Sequence, residues 1–144
     1  QDCTYFTGYS IMGYAKATNA TLSTAANVQS MSFYSHATGN FRIAIYSDSN
    51  GPSSLQWQSS STAATAGAWN TVNINSGTPS SLTLSAGTYW LAWEWDSANS
   101  GPSYTAGSSG DGNYIAQAYG SFPASWSGGT SSSEKWSIYF TYTS

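Results

Sequence analysis

The nearest approach to a catalytic pair is Glu94 and Asp96, which alternate with tryptophans in the segment Thr88–Asp96 (TYWLAWEWD). Glycoside hydrolysis needs two carboxyl groups about 5–9.5 Å apart across the scissile bond, one of them held protonated. Alternate residues of a strand lie roughly 6.5–7 Å apart, so distance alone permits the pairing. The two side chains would nevertheless project side by side from one strand instead of flanking a substrate, and no other acid is close in sequence. Hydrolysis is not expected. His36 is the only histidine, and a nucleophilic triad would need it beside a nucleophile and an orienting acid. Among so many serines that pattern carries no information, and His36 reads as a surface residue near a strand end.

Metal chemistry is equally thin. One Cys and one His exclude the Cys/His clusters that zinc prefers. Calcium is the metal left open: Asp48 in DSNGP or Asp111 in SGDGN, with backbone carbonyls, would supply oxygen ligands, but neither matches a full calcium loop. Turn formation is the simpler reading of both, and no cofactor is required. Cys3 has no second cysteine to pair with, so any disulfide would be intermolecular. Asn19-Ala20-Thr21 is a sequon that matters only if the source glycosylates.

With catalysis unsupported, the aromatic residues become the candidates. Only 6% of the 144 residues are charged, against about 25% in an ordinary soluble domain, so uncharged Ser, Thr, Asn and Gly must provide solubility. The 16% aromatic content rules out the composition of a disordered chain and is ample for one packed core. The net charge of −3 without a basic cluster argues against nucleic acid as a partner. No apolar run approaches the ~18–20 residues of a membrane span, and no signal-peptide pattern is present. A start at Gln1 fits a processed mature form or a fragment of a longer chain. The polar, charge-poor, aromatic-rich balance suggests an extracellular setting.

The elements that would position these aromatics are strands. Apolar residues alternate in Gln29–Tyr34, Phe41–Tyr46, Trp69–Ile74, Ser81–Leu84, Thr88–Asp96 and Trp136–Thr143. Weaker candidates at Thr21–Thr24, Leu55–Ser59 and Tyr114–Tyr119 bring the total to about eight or nine. Turns are marked by Asn50-Gly51-Pro52-Ser53, Gly77-Thr78-Pro79-Ser80 and Ser100-Gly101-Pro102-Ser103. Many short strands without helices predict a single all-β domain over residues 1–144, an antiparallel β-sandwich or jelly roll. The long segments Gly101–Gly112 and Ser121–Ser133 are where binding residues tend to sit.

Strand parity then sorts the side chains. Phe41, Ile43 and Ile45 share one face, as do Tyr89, Leu91, Trp93 and Trp95, and Trp136, Ile138, Phe140 and Tyr142. These are assigned inward, because the opposite choice would bury Glu94 and Asp96, and an unpaired buried carboxylate is costly. The outward set is then Arg42, Tyr46, Trp90, Glu94 and Tyr139, a platform if their strands are neighbours. Flat aromatics with a few polar groups suit a neutral, hydroxyl-rich ligand such as a sugar. Trp57 and Trp126 are further candidates, since nothing apolar beside them in sequence demands burial.

The motifs LSAGTYWLAW and FRIAIYSDSNG, with Ser/Gly/Pro punctuation and surplus Trp and Tyr along nearly the whole chain, resemble the non-catalytic, β-sandwich carbohydrate-binding modules of secreted polysaccharide-degrading enzymes. The resemblance is one of style and carries no ligand residue over. It implies a binder of β-linked glucan or a similar polysaccharide, monomeric alone, tethered to a catalytic domain, often with a structural calcium. The alternative from a different class is a structural extracellular subunit of an S-layer, filament or adhesion domain, in which exposed aromatics would meet another protein.

Overall fold

The computed structural model describes residues 13–97 and 99–144; Gln1 and Cys3 lie outside them. Among the described residues thirteen strands run in the order β1 (Tyr14–Leu22), β2 (Ala26–Ser35), β3 (Gly39–Asp48), β4 (Pro52–Gln58), β5 (Thr62–Ala64), β6 (Ala68–Asn73), β7 (Thr83–Leu84), β8 (Gly87–Asp96), β9 (Tyr104–Ala106), β10 (Gly112–Ala116), β11 (Thr130–Ser132), β12 (Glu134–Trp136) and β13 (Ile138–Thr143). A 3-10 turn at Ile74–Ser76 closes β6. All pairings are antiparallel, and together they form an all-β sandwich. A seven-stranded sheet has the order β11-β10-β1-β8-β3-β4, with β5 also on β3. Opposite it stands a four-stranded sheet, β13-β2-β6 with β7 also on β2, and β12-β9 forms a separate ribbon.

The excess over eight or nine strands comes from three sources, the first being the three-residue β5, which pairs with the start of β3 where no strand is expected. The segments expected as long loops are pinned by short pairings, β9 in one and β11 in the other. The segment Trp136–Thr143, expected as one strand, divides at Ser137: β12 pairs with β9, and β13 pairs with β2. β1 is the longest strand with a weak sequence signal. Its Ala- and Thr-rich YAKATNATL lacks the bulky alternation of the other strands, yet it sits centrally between β8 and β10.

The inward assignment of parity holds. Phe33 and Met31 of β2, Val72 of β6 and Ile138 of β13 meet Phe41, Ile43 and Ile45 of β3 and Leu91, Trp93 and Trp95 of β8 in one core cluster. Phe33 is its hinge point, with ring centroids 5.1 Å from Phe41 and 6.0 Å from Trp93. Tyr142 departs from the pattern. After a register shift it pairs with the buried Val28, but near the end of β13 the core no longer covers it, and it is 46% exposed.

Trp95 depends on the absence of side chains around it. A Cβ added at Gly39 or at Gly101 would collide with the far edge of its indole, and the indole N–H donates to the Asn99 carbonyl at 2.9 Å. Gly101→Ala is expected to lower stability by about 1–3 kcal/mol through overpacking. Denaturant unfolding measures this directly, and an unchanged midpoint would mean that Trp95 has room to move aside.

Candidate functional site

The outer face of the seven-stranded sheet is the place parity assigned to a ligand platform. In sequence register, β3 and β8 do bring Arg42 opposite Glu94 and Tyr46 opposite Trp90. Arg42 is partly exposed, but the other three positions are not open to solvent. Tyr46 is fully buried, Trp90 is 5% exposed and Glu94 1%. The cover is the segment 117–126, which crosses the sheet as a strap and forms a second core. There Phe122 and Trp126 pack with Tyr46, Trp90, Ala44, Ala92, Ala15 and Ala17. The small alanines on the neighbouring strands make the hollow that these large rings fill.

The strap is held by directional bonds as well as by packing. Its Gly120 N–H donates to Glu94 Oε1 at 2.9 Å, its Phe122 N–H to Gln58 Oε1 at 2.9 Å, and its Trp126 N–H to the Ser53 carbonyl at 2.8 Å. In return the Tyr46 hydroxyl donates to the Pro123 carbonyl, and the Leu55 N–H to the Ala124 carbonyl. The expectation of a solvent-facing site at Trp90, Tyr46 and Glu94 is therefore corrected. Glu94 is accommodated in the interior because the strap's Gly120 N–H donates to it and Arg42 stands opposite it in the register.

Trp57 and Trp126 are likewise structural. Trp57 is fully buried in the main core, its indole N–H donating to the Ile74 carbonyl at 3.0 Å. Trp126 is 7% exposed and donates to Asn113 Oδ1 at 2.9 Å. In both cases the burying residues come from distant segments, so their Ser- and Gly-rich neighbours in sequence gave a false impression of exposure.

Burial pushes the Glu94 carboxyl up to about 7, against the opposing pull of the Gly120 N–H and the Arg42 guanidinium. Burial, and secondarily Glu94, also raises the Tyr46 phenol. Among the described residues Glu94 Oε2 and Arg42 Nε are buried without a hydrogen-bond partner, and the Arg42 guanidinium lies 5.6 Å from the centroid of the strap's Tyr119. Asp96, the other half of the candidate catalytic pair, is exposed at the end of β8, so the two acids occupy different environments and face no common groove. Asp48 accepts the Gly51 N–H of its own turn at 3.1 Å and the Trp90 indole N–H at 2.9 Å. Asp111 Oδ2 accepts the Ser108 N–H at 2.7 Å. Among the described residues no three His, Cys, Asp or Glu side chains gather as a metal site.

The open aromatic face is on the other sheet. Across β6, β2 and β13 the outward rows run Trp69 opposite Tyr34, Thr71 opposite Ser32 opposite Tyr139, and Asn73 opposite Ser30 opposite Thr141. Trp69 is 47% and Tyr139 42% exposed. Their rings meet across the small Ser32, with centroids 4.8 Å apart, and Tyr34 stands edge-on to Trp69 at 5.5 Å. His36 extends the cluster, 5.0 Å from Tyr34. Hydroxyl pairs brace the floor, Ser32 with Thr71 at 2.8 Å and Ser30 with Thr141 at 2.6 Å. No Asp, Glu, Lys or Arg belongs to these rows.

The chain matches no protein-family model, no curated protein and no solved structure. The site therefore rests on its own chemistry. Of the residues expected at a ligand surface, only Tyr139 lies on this face, and Arg42 and Glu94 sit under the strap on the opposite side of the molecule. Trp69 and Tyr34 were within reach of sequence: Val72 and Ile74 mark one face of β6, so Trp69 and Thr71 must occupy the other, and Met31 and Phe33 do the same for Tyr34.

Two outcomes test this partition. Trp90→Ala is expected to cost about 3–5 kcal/mol of stability, as truncation of a buried Trp does; a fold-neutral result would return Trp90 to the surface. The pH dependence has a definite sign. A carboxyl whose folded-state pKa is raised stabilises the fold while protonated, fully below its ordinary value near 4.5 and no longer above about 7. The Glu94 contribution to the melting temperature therefore falls through this window, and Glu94→Gln is expected to flatten the slope. An unchanged slope in that variant would overturn the assignment.

Proposed function

We propose that the chain is a non-catalytic binding domain for a neutral polysaccharide, with a β-linked glucan of the cellulose kind as the favoured ligand, and that Trp69, Tyr34 and Tyr139 form the contact surface. The observation that carries this reading is the contiguous, half-exposed aromatic cluster on the outer face of the four-stranded sheet, set among hydroxyl and amide groups with no charged side chain in its rows. Sugar C–H groups pack on aromatic rings while their hydroxyls exchange hydrogen bonds with Ser, Thr and Asn, and neither contact needs a formal charge. A soluble domain gains nothing from leaving an indole and a phenol in water side by side, so a partner surface is the natural reason for them.

In this reading the domain works outside the cell and holds an attached polysaccharide-degrading enzyme on its substrate, contributing affinity and no bond cleavage. Calcium is not needed at the contact surface, where the ligating groups are neutral. The burial of Glu94 beneath the strap supports a non-catalytic role, because this acid, whose pKa burial raises, has no open approach for a glycosidic oxygen.

Pull-down on insoluble cellulose, chitin, xylan and mannan tests the proposal. Retention is expected to change little between low and high salt, since screening weakens charge pairs and leaves ring stacking almost untouched. Trp69→Ala is expected to weaken binding by about tenfold or more, equivalent to about 1.4 kcal/mol, while stability shifts by no more than about 0.5 kcal/mol, as for an exposed position. Wild-type protein that ignores all four polysaccharides and instead self-associates on size exclusion, with Trp69→Ala restoring the monomer, would replace this reading with that of a structural subunit.

A further inference from the structure

Beyond the aromatic rows the same face deepens into a groove of about 620 Å³. Its cause is a change of partner along β2. Residues Ser30–Ser35 pair with β6, but β6 ends in the 3-10 turn at Ile74–Ser76, and Ala26 and Asn27 pair with β7 instead. Between the departing β6 and the arriving Ser80–Leu84 segment, the β2 residues Asn27–Ser30 are left as a floor. The lining contains only amide, hydroxyl and aliphatic side chains, with no ionisable group. Thr83 Oγ1 donates to Asn27 Oδ1 at 2.9 Å and fixes that amide's orientation. The side-chain amides of Asn73 and Asn75 make no hydrogen bond among the described residues and are exposed on the groove wall.

The groove and the aromatic cluster are one surface. Ser30 and Asn73 belong to both, being the third outward row of the sheet and also groove lining. From Trp69 to Asn73 along β6 is about 13 Å at the usual rise per residue, and the groove continues past that point. A single sugar unit cannot span aromatic rings at one end and amides at the other over such a distance; a linear chain lying along the strands can.

On this basis we infer that the domain recognises a run of several linked sugar units of a linear neutral glycan. The chain lies along β6 and β2, with one part stacked on Trp69 and Tyr139 and the rest hydrogen-bonded in the groove by Asn73, Asn75 and Asn27. The inference rests on the glycan-binding reading of the aromatic face and adds to it a direction, a length requirement and a second set of contacts. The amides act there as paired donors and acceptors for sugar hydroxyls, a match that a chain bearing carboxylates or amines would not improve.

Calorimetric titration of the domain with cello-oligosaccharides from the disaccharide to the hexasaccharide, run in parallel with xylo-, manno- and chito-oligosaccharides, decides the matter. Affinity for the glycan that binds is expected to rise by about tenfold or more from the disaccharide to the longer chains. The double variant Asn73→Ala, Asn75→Ala is expected to remove most of that gain, with a clearly smaller loss for the disaccharide, and to leave the melting temperature unchanged. If the disaccharide binds as tightly as the hexasaccharide and the double variant is silent, while Trp69→Ala abolishes binding, the groove is not part of the site and only this inference falls. If no oligosaccharide of any series binds the wild-type domain, the glycan reading fails and takes this inference with it.

Discussion

The structure depends on β8 being buried on both faces. Gly87–Asp96 alternates Tyr89, Leu91, Trp93 and Trp95 on one side with Trp90, Ala92 and Glu94 on the other, and every one of these side chains is less than a tenth exposed. A strand in that position needs two covers. The four-stranded sheet supplies the first through Phe33, Met31 and Ile138, and the strap 117–126 supplies the second through Phe122 and Trp126. The molecule is thus layered as strap, large sheet, core and small sheet.

That layering decides which surface is free. Covering the outer face of the large sheet removes Trp90 and Tyr46 from consideration, and it places Glu94 and Arg42 in a medium where their unsatisfied atoms are costly. Their retention there is explained by the anchoring bond from Glu94 to the strap's Gly120. Among the described residues the small sheet has no corresponding cover over its outer rows, so Trp69, Tyr34 and Tyr139 stand in solvent over a floor of paired hydroxyls. The same sheet exchanges β6 for β7 beside β2, and the gap between them extends the aromatic surface into a neutral polar groove.

Charge poverty gives these two surfaces a common character. Polar groups with no net charge can bind hydroxyl-rich ligands without the desolvation penalty of an ion pair, and they lose little as salt rises. The buried Glu94 is the exception and works as a structural latch, answering to pH through the stability of the strap's attachment and not through the open face.

Period-two alternation by itself determined the all-β class, the positions of the long strands β2, β3, β6 and β8, and the inward set of Ile43, Leu91, Trp93 and Ile138, because a strand's own residues dictate which side chains share a face. It also contained the outward placement of Trp69, Tyr34 and Tyr139. What parity cannot say is whether an outward face meets water. That was decided by contacts between residues far apart in the chain: Trp126 and Phe122 closing over Tyr46 and Trp90, Ile74 accepting from Trp57, and β13 pairing with β2, which put Tyr139 beside Trp69 and on the opposite side of the sandwich from Trp90. The small alanines of β1, β3 and β8 carry no visible signal of a hollow until those strands lie side by side, so only the tertiary structure could move the candidate surface from one sheet to the other.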